Sequence, residues 1–370
     1  MGDSFVLGRV LGIRIGINWS WLIVAVLITW TLAAAVFPSE NPGLSDGAYV
    51  AMGVVAAALF FASILLHELG HAVQARRDRV EIEGITLWVF GGVAKFTGRI
   101  PSAGAELRIA LAGPLVSLVL GLLFSGVAMV AGLPQSVDGV AAWLGYINLV
   151  LLAFNLLPAF PLDGGRVLRA LLWSRSGDLA RATGSAAAVG RALAFGLVGL
   201  ALVLFVAGSV FAGVWLAFVG WFLLQAAGAE TQQVTVEERL AGRTVADLMR
   251  RDPVVVPPEL PLGRFVDEVV WSQRYTTYPV VEDGAPVGLL PFRAVAEAPR
   301  GEWDATRVRD RMLPLEQVPA LTPSDPLAEA LQRLAASDVR RALVVEDGRL
   351  VGLLSISDLL LALELGPPQR

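Results

Sequence analysis

Six stretches of the first 230 residues are each long and apolar enough to cross a bilayer, which needs about 20 mostly apolar residues. They run roughly over 18–37, 49–75, 105–131, 139–160, 189–207 and 210–228. Nothing constrains the fold more strongly. In hydrocarbon every backbone amide must be paired internally, so the first part of the chain must be a bundle of helices. Charge separates the rest of the chain from this bundle: 25 of residues 1–230 are charged, against 37 of residues 231–370. The second value is that of an ordinary water-soluble domain.

These counts predict a membrane domain over 1–230, a linker over 231–243 and a soluble remainder. The first apolar run is long enough to stay in the membrane rather than be cleaved as a leader. Arg and Lys cluster on one side of the bundle, at Arg9, Arg14, Arg76, Arg77, Arg79, Lys95, Arg99, Arg166, Arg169, Arg175 and Arg181. The loops on the other side carry none. Basic loops face the cytoplasm, so both termini and the soluble half are expected there. The net charge of −4 gives no reason to expect nucleic acid as a partner. Cysteine is absent, which excludes disulfides, thiolate metal sites and a Cys nucleophile.

The chain has only two histidines, His67 and His71, within H-E-L-G-H near the end of the second apolar run. On a helix, positions i and i+4 share a face, so both imidazoles can bind one metal ion. Glu68 can then act as general base on a water at that ion. The alternative is a pair of packed or surface histidines. Ionisable groups inside an apolar span are costly, however, and usually mark a functional site. A catalytic zinc commonly has three protein ligands. The candidate third is Asp163, in N-L-L-P-A-F-P-L-D-G-G-R over 155–166. Pro158 and Pro161 break the fourth helix there, and the turn can swing the carboxylate back. The alternative is a helix-ending turn with a solvated Asp.

Residues 79–100 (RVEIEGITLWVFGGVAKFTGRI) alternate like short strands rather than like a span. An edge strand containing Gly91 and Gly92 could pair with an extended substrate, or the strands could simply plug the cavity.

The motifs H-E-L-G-H at 67–71 and Asn155–Gly165 resemble those of the site-2 protease family, the M50 intramembrane zinc metalloproteases. G-I-R-I-G-I-N-W-S-W, F-G-G at 90–92 and A-G-P at 112–114 fit the same resemblance. It implies one zinc ion held by His67, His71 and Asp163, with Glu68 as base and Asn155 at the active site. Asn155 would donate to the substrate carbonyl or oxyanion; a helix–helix hydrogen bond is its alternative. The third-helix motif often continues to an Asn where this chain has Ser117. The family cleaves membrane-embedded proteins, often ones already trimmed, in regulated intramembrane proteolysis.

The soluble half repeats itself with a period of about 64. V-A-D-L-M at 245–249 aligns with V-R-D-R-M at 308–312, and P-V-V-E-D-G-A-P-V-G-L-L at 279–290 with L-V-V-E-D-G-R-L-V-G-L-L at 343–354. Each copy reads as α/β, with E-D-G a hairpin turn. The repeats, 244–299 and 306–366, resemble tandem CBS domains. That resemblance implies an adenine nucleotide (ATP, ADP or AMP) as regulator and a possible homodimer. Gly352, Ser355 and Asp358 match the family's ribose-binding element, and Arg340 and Arg341 are phosphate candidates. The first copy has Pro291 and Ala294 at the matching positions, so one competent site at most is expected. A purely structural or dimerising pair is the alternative.

The expected fold is therefore a multi-pass α-helical membrane protein of about six spans followed by a cytoplasmic α/β CBS pair. A CBS-gated transporter or channel is the competing function. It would spread ionisable residues over several helices, whereas here they converge on one cluster.

Overall fold

The structure is a computed structural model that describes residues 4–88, 91–97, 100–240 and 242–365. The chain forms two compact units, Met1–Gln232 and Gln233–Arg370.

In the first unit, six helices are long and apolar enough to cross a membrane. They are α1 (Ser20–Glu40), α2 (Asp46–Arg77), α3 (Ala103–Ala128), α4 (Gln135–Asn155), α6 (Leu179–Val206) and α7, whose apolar part is Val210–Gln232. Large apolar side chains such as Val26, Trp30, Leu115, Leu122, Leu202 and Phe211 are exposed on them. That is the pattern of a protein whose solvent is lipid.

Before α1 lie strands β1 (Ser4–Val10) and β2 (Ile13–Asn18); between α2 and α3 lie β3 (Glu81–Trp88) and β4 (Gly91–Thr97). They make one sheet in the order β1-β2-β3-β4, with β2 and β3 parallel and the outer pairs antiparallel. Ile13, Leu69, Ala72 and Ile85 form a core that fastens this sheet to α2. At the exposed end of α2, Asp78 accepts hydrogen bonds from Gln74 (2.8 Å) and from Arg108 of α3. The Arg108 guanidinium holds its carboxyl below the usual carboxylate range.

Hydropathy misplaced three boundaries. The fourth span stops at Asn155 rather than 160, because Pro158 and Pro161 follow in a non-helical turn. The charged stretch after it is a separate helix, α5 (Asp163–Ser176), ended by Gly177 in the left-handed region. The fifth span begins at Leu179, ten residues early, capped by Asp178. Lastly, α7 continues as one helix from Val210 to Leu240, so most of the expected linker is helical.

In the second unit, β6 (Thr277–Glu282) and β7 (Ala285–Pro291) form the hairpin of the first repeat, and β10 (Arg341–Glu346) and β11 (Arg349–Ser355) that of the second. Asp283–Gly284 and Asp347–Gly348 all have positive φ, as the E-D-G turns require. Both sheets are completed by exchange. β5 (Arg250–Arg251), from the start of the first repeat, pairs with β11. β8 (Leu313–Pro314), from the start of the second, pairs with β7. β9 (Ala320–Leu321) lies parallel to β10, and helices α8 (Leu327–Ala336) and α9 (Ile356–Leu365) cover that sheet. Val236 and Leu240, at the end of α7, pack into the same core as α8 and α9.

Candidate metal centre and nucleotide cleft

The H-E-L-G-H motif lies in the last three turns of α2, on the face that α3 covers. His67 and His71 are 4% and 5% exposed. Asp163, 8% exposed, is the first residue of α5, delivered by the turn at Pro158–Pro161. His67 Nε2 lies 3.1 Å from Asp163 Oδ2, His71 Nε2 lies 3.2 Å from Oδ1, and the two Nε2 atoms are 3.1 Å apart. These three residues form the one group of His and acidic side chains, among the described residues, that could hold a metal ion.

The donor set fits zinc. Ligand atoms bound at about 2.0–2.1 Å around one tetrahedral ion stand roughly 3.3 Å apart, close to the separations seen. The outer ring nitrogens point the same way. His71 Nδ1 is 2.7 Å from the carbonyl oxygen of Ile109. A carbonyl only accepts, so Nδ1 carries the proton and Nε2 of the neutral ring keeps its lone pair. His67 Nδ1 is 2.8 Å from Ser117 Oγ. Both candidate histidine ligands are therefore oriented by partners on α3.

Two glycines make room. A Cβ on Gly113 would fall 2.2 Å from His71 Nε2 and 2.6 Å from His67 Nε2. Only a glycine lets α3 pass this close to the cluster. A Cβ on Gly92 would fall 2.3 Å from Glu68 Cγ, so the bare backbone of β4 passes directly against the half-buried Glu68. Gly92 thus sits beside Glu68, the candidate base. Gly91 pairs with Trp88 at the start of β4, and Phe90 lies outside the described residues. Asn155 is the last residue of α4, and its side chain makes no hydrogen bond among the described residues.

Sequence reasoning singled out both histidines, Glu68 and Asp163, and the structure brings the two histidines and Asp163 together. It missed Ile109 and gave Ser117 no role at the metal, because both reach the site only through the crossing of α2 and α3. The A-G-P motif was the available signal, since Gly113 is its centre.

In the second unit a cavity of about 240 Å³ opens between the repeats. Arg250, Tyr275, Thr276, Arg341, Ser355 and Asp358 are among its lining residues. Asp358 accepts from the backbone (3.0 Å) and hydroxyl (2.6 Å) of Ser355 at the start of α9. The guanidinium of Arg341 donates to Thr276 Oγ1 (2.7 Å), and that of Arg250 lies 4.4 Å from the centre of the Tyr275 ring. Of the four expected nucleotide-binding residues, Arg341, Ser355 and Asp358 line this cavity; Arg340 does not. Arg340 instead holds the left-handed residue before β10.

Rip3 of Mycobacterium tuberculosis, whose name describes a zinc metalloprotease, is 42% identical over 363 residues, 97% of this chain and 92% of Rip3. The chain belongs to peptidase family M50. The profile of that family matches residues 55–138 and 130–199, and that of the CBS domain matches 245–301 and 308–365. This M50 chain is thus a zinc metalloprotease joined to a CBS pair. Among solved structures it resembles the site-2 protease from Methanocaldococcus jannaschii, with 32% identity and a TM-score of 0.41 over 62% of this chain and 95% of that one. Its second unit resembles the CBS domain of a bacterial CNNM/CorC family Mg2+ transporter in complex with ATP, with 19% identity and a TM-score of 0.33 over 37% of this chain and 99% of that one.

Proposed function

We propose that this M50 protease cleaves membrane-embedded protein substrates at the cluster of His67, His71 and Asp163. The convergence of two Nε2 atoms of α2, a helix of membrane-spanning length, and one carboxylate of α5 in a buried cluster carries this reading. Zinc held there would polarise the scissile carbonyl and acidify a water. Glu68 would accept that water's proton and return it to the leaving amine. Asn155 would donate a hydrogen bond to the carbonyl oxygen as charge develops on it, an interaction of about 2.7–4 kcal/mol where measured in other enzymes.

A helical substrate hides its peptide bonds in its own hydrogen bonds. An extended segment paired along the β4 edge at Gly91 and Gly92 would present a bond beside Glu68. The excess of Arg and Lys in the loops on one side favours a cytoplasmic position for both termini and the CBS pair.

In the same reading the cavity between the repeats binds an adenine nucleotide. Asp358 faces the ribose hydroxyls, Ser355 holds Asp358, and Arg341 and Arg250 offer charge to phosphate. No such element exists in the first repeat, where Pro291 and Ala294 replace the hydroxyl and carboxylate, so one site per chain is expected. A pair of chains joined through these domains is the proposed assembly.

The deciding experiment compares the membrane proteomes of cells carrying the parent chain and Glu68→Gln. An accumulated single-span precursor in the variant identifies the substrate. Undiminished cleavage of that precursor by purified Glu68→Gln protein would refute the base assignment. ATP, ADP and AMP titrations of the full chain test the cleft, and no binding of any of the three would leave the pair a structural role.

A further inference from the structure

Outside the metal cluster, Glu106 and Arg169 are the only charged side chains buried among the described residues. They meet. Arg169 Nε donates to Glu106 Oε1 at 2.7 Å, and Nη2 donates to the same oxygen. The third arm of the guanidinium, Nη1, donates to Glu230, whose side chain is 31% exposed. The guanidinium carbon also lies 5.2 Å from the centre of the Phe160 ring. Glu106 Oε2 is buried with no hydrogen-bond partner among the described residues. An ion cluster of this kind is a poor source of stability, since an apolar replacement often does as well. Its position suggests another use.

Every partner of Arg169 leads to the candidate metal site or to α7. Arg169 lies on α5, six residues after Asp163. Glu106 lies on α3, one turn before Ile109, whose carbonyl fixes the His71 ring. Phe160 is in the turn that delivers Asp163, and it is almost fully buried. Glu230 lies on α7, the helix that continues without a break to Leu240 in the second unit. One planar fork therefore joins the helix bearing the carboxylate, the helix orienting a histidine, and the helix that leads out of the membrane domain. A lysine ammonium, a compact charge on a flexible stem, would not reproduce this planar and fixed spacing of donors.

We propose that Arg169 is a positioning residue of the metal site, holding α5 and α3 in register, and that its Glu230 arm makes this register depend on the placement of α7. The inference rests on the metal-site reading above.

The test uses the full chain loaded with zinc. The readouts are zinc per chain, the rate of zinc loss to EDTA well below the unfolding temperature, and kcat and KM on fluorescein-labelled casein. Arg169→Lys should lose zinc about tenfold faster than the parent, with kcat lowered and KM little changed, as for loss of a group that orients a ligand. Glu230→Gln should keep the parent's zinc content and thermal midpoint yet lose zinc about threefold faster, a smaller effect because this arm is partly solvated. Parental zinc loss and kcat in Arg169→Lys would overturn the positioning role. If Arg169→Lys does not accumulate, Glu230→Gln alone decides: parental behaviour there overturns the proposal. Asp163→Ala separates the two readings. If it retains zinc, the metal-site reading fails. If it is zinc-free while Arg169→Lys and Glu230→Gln behave as parent, only this inference fails.

Discussion

The candidate metal centre and the cleft between the repeats use the same kinds of side chain under opposite conditions. At the metal centre His67, His71 and Asp163 are nearly dry, and the outer nitrogens of the two histidines are held by Ser117 and Ile109 of a single neighbouring helix. In the cleft Asp358 is exposed and is held by Ser355 beside it in sequence. A buried polar group that loses its partner suffers the whole desolvation penalty, whereas an exposed one recovers water. The first site should therefore respond sharply to small changes around it, and the second should respond gradually.

Substitutions can break or sharpen this contrast. The largest effect is expected for Glu68→Gln, with zinc content kept and the rate of cleavage falling by about 10²–10⁴; metal analysis beside a cleavage assay reads both. Ser117→Ala should weaken zinc binding by about 10–100-fold, because His67 loses the group that orients its ring, as competition with a chelator would measure. An unchanged affinity would mean that the dry site is no more sensitive than the wet one. Asp358→Ala should lower nucleotide affinity about tenfold, the value of one charged hydrogen bond, measurable by calorimetry on the full chain. Arg264→Ala removes an exposed pair with Glu268 one turn along. It should cost no more than about 0.5 kcal/mol, as thermal unfolding would show.

How much of each site could be read from the sequence follows the same division. Local spacing places His67 and His71 on one helix face with Glu68 next to the first, and Ser355 with Asp358 at one helix start. Sequence neighbours suffice for both. Asp163 is 92 residues from His71, and it was found because the prolines and glycines around it form a recognisable pattern. Ser117 and Ile109 had no such signal of a metal role, and Gly113 had only its place in the A-G-P motif, since the packing of α3 on α2 is what brings all three to the histidines.

Hydropathy found the spans because lipid exposure is a property of each residue. It missed α5 because that helix carries Arg166, Arg169 and Arg175, and it cut α6 short at its polar beginning. The last turns of α7 were read as linker because their apolar residues, Val236 and Leu240, serve a soluble core rather than lipid.

The exchanged strands β5 and β8 carry a consequence for how such a chain can be inherited. Each repeat lends its first strand to the sheet of the other, so neither copy is whole by itself. A gene rearrangement that moved one repeat to a new host would move half of two sheets and leave an open edge on each. The transferable module is the pair, and the 64-residue period of the sequence is not the period at which this half of the molecule can be cut.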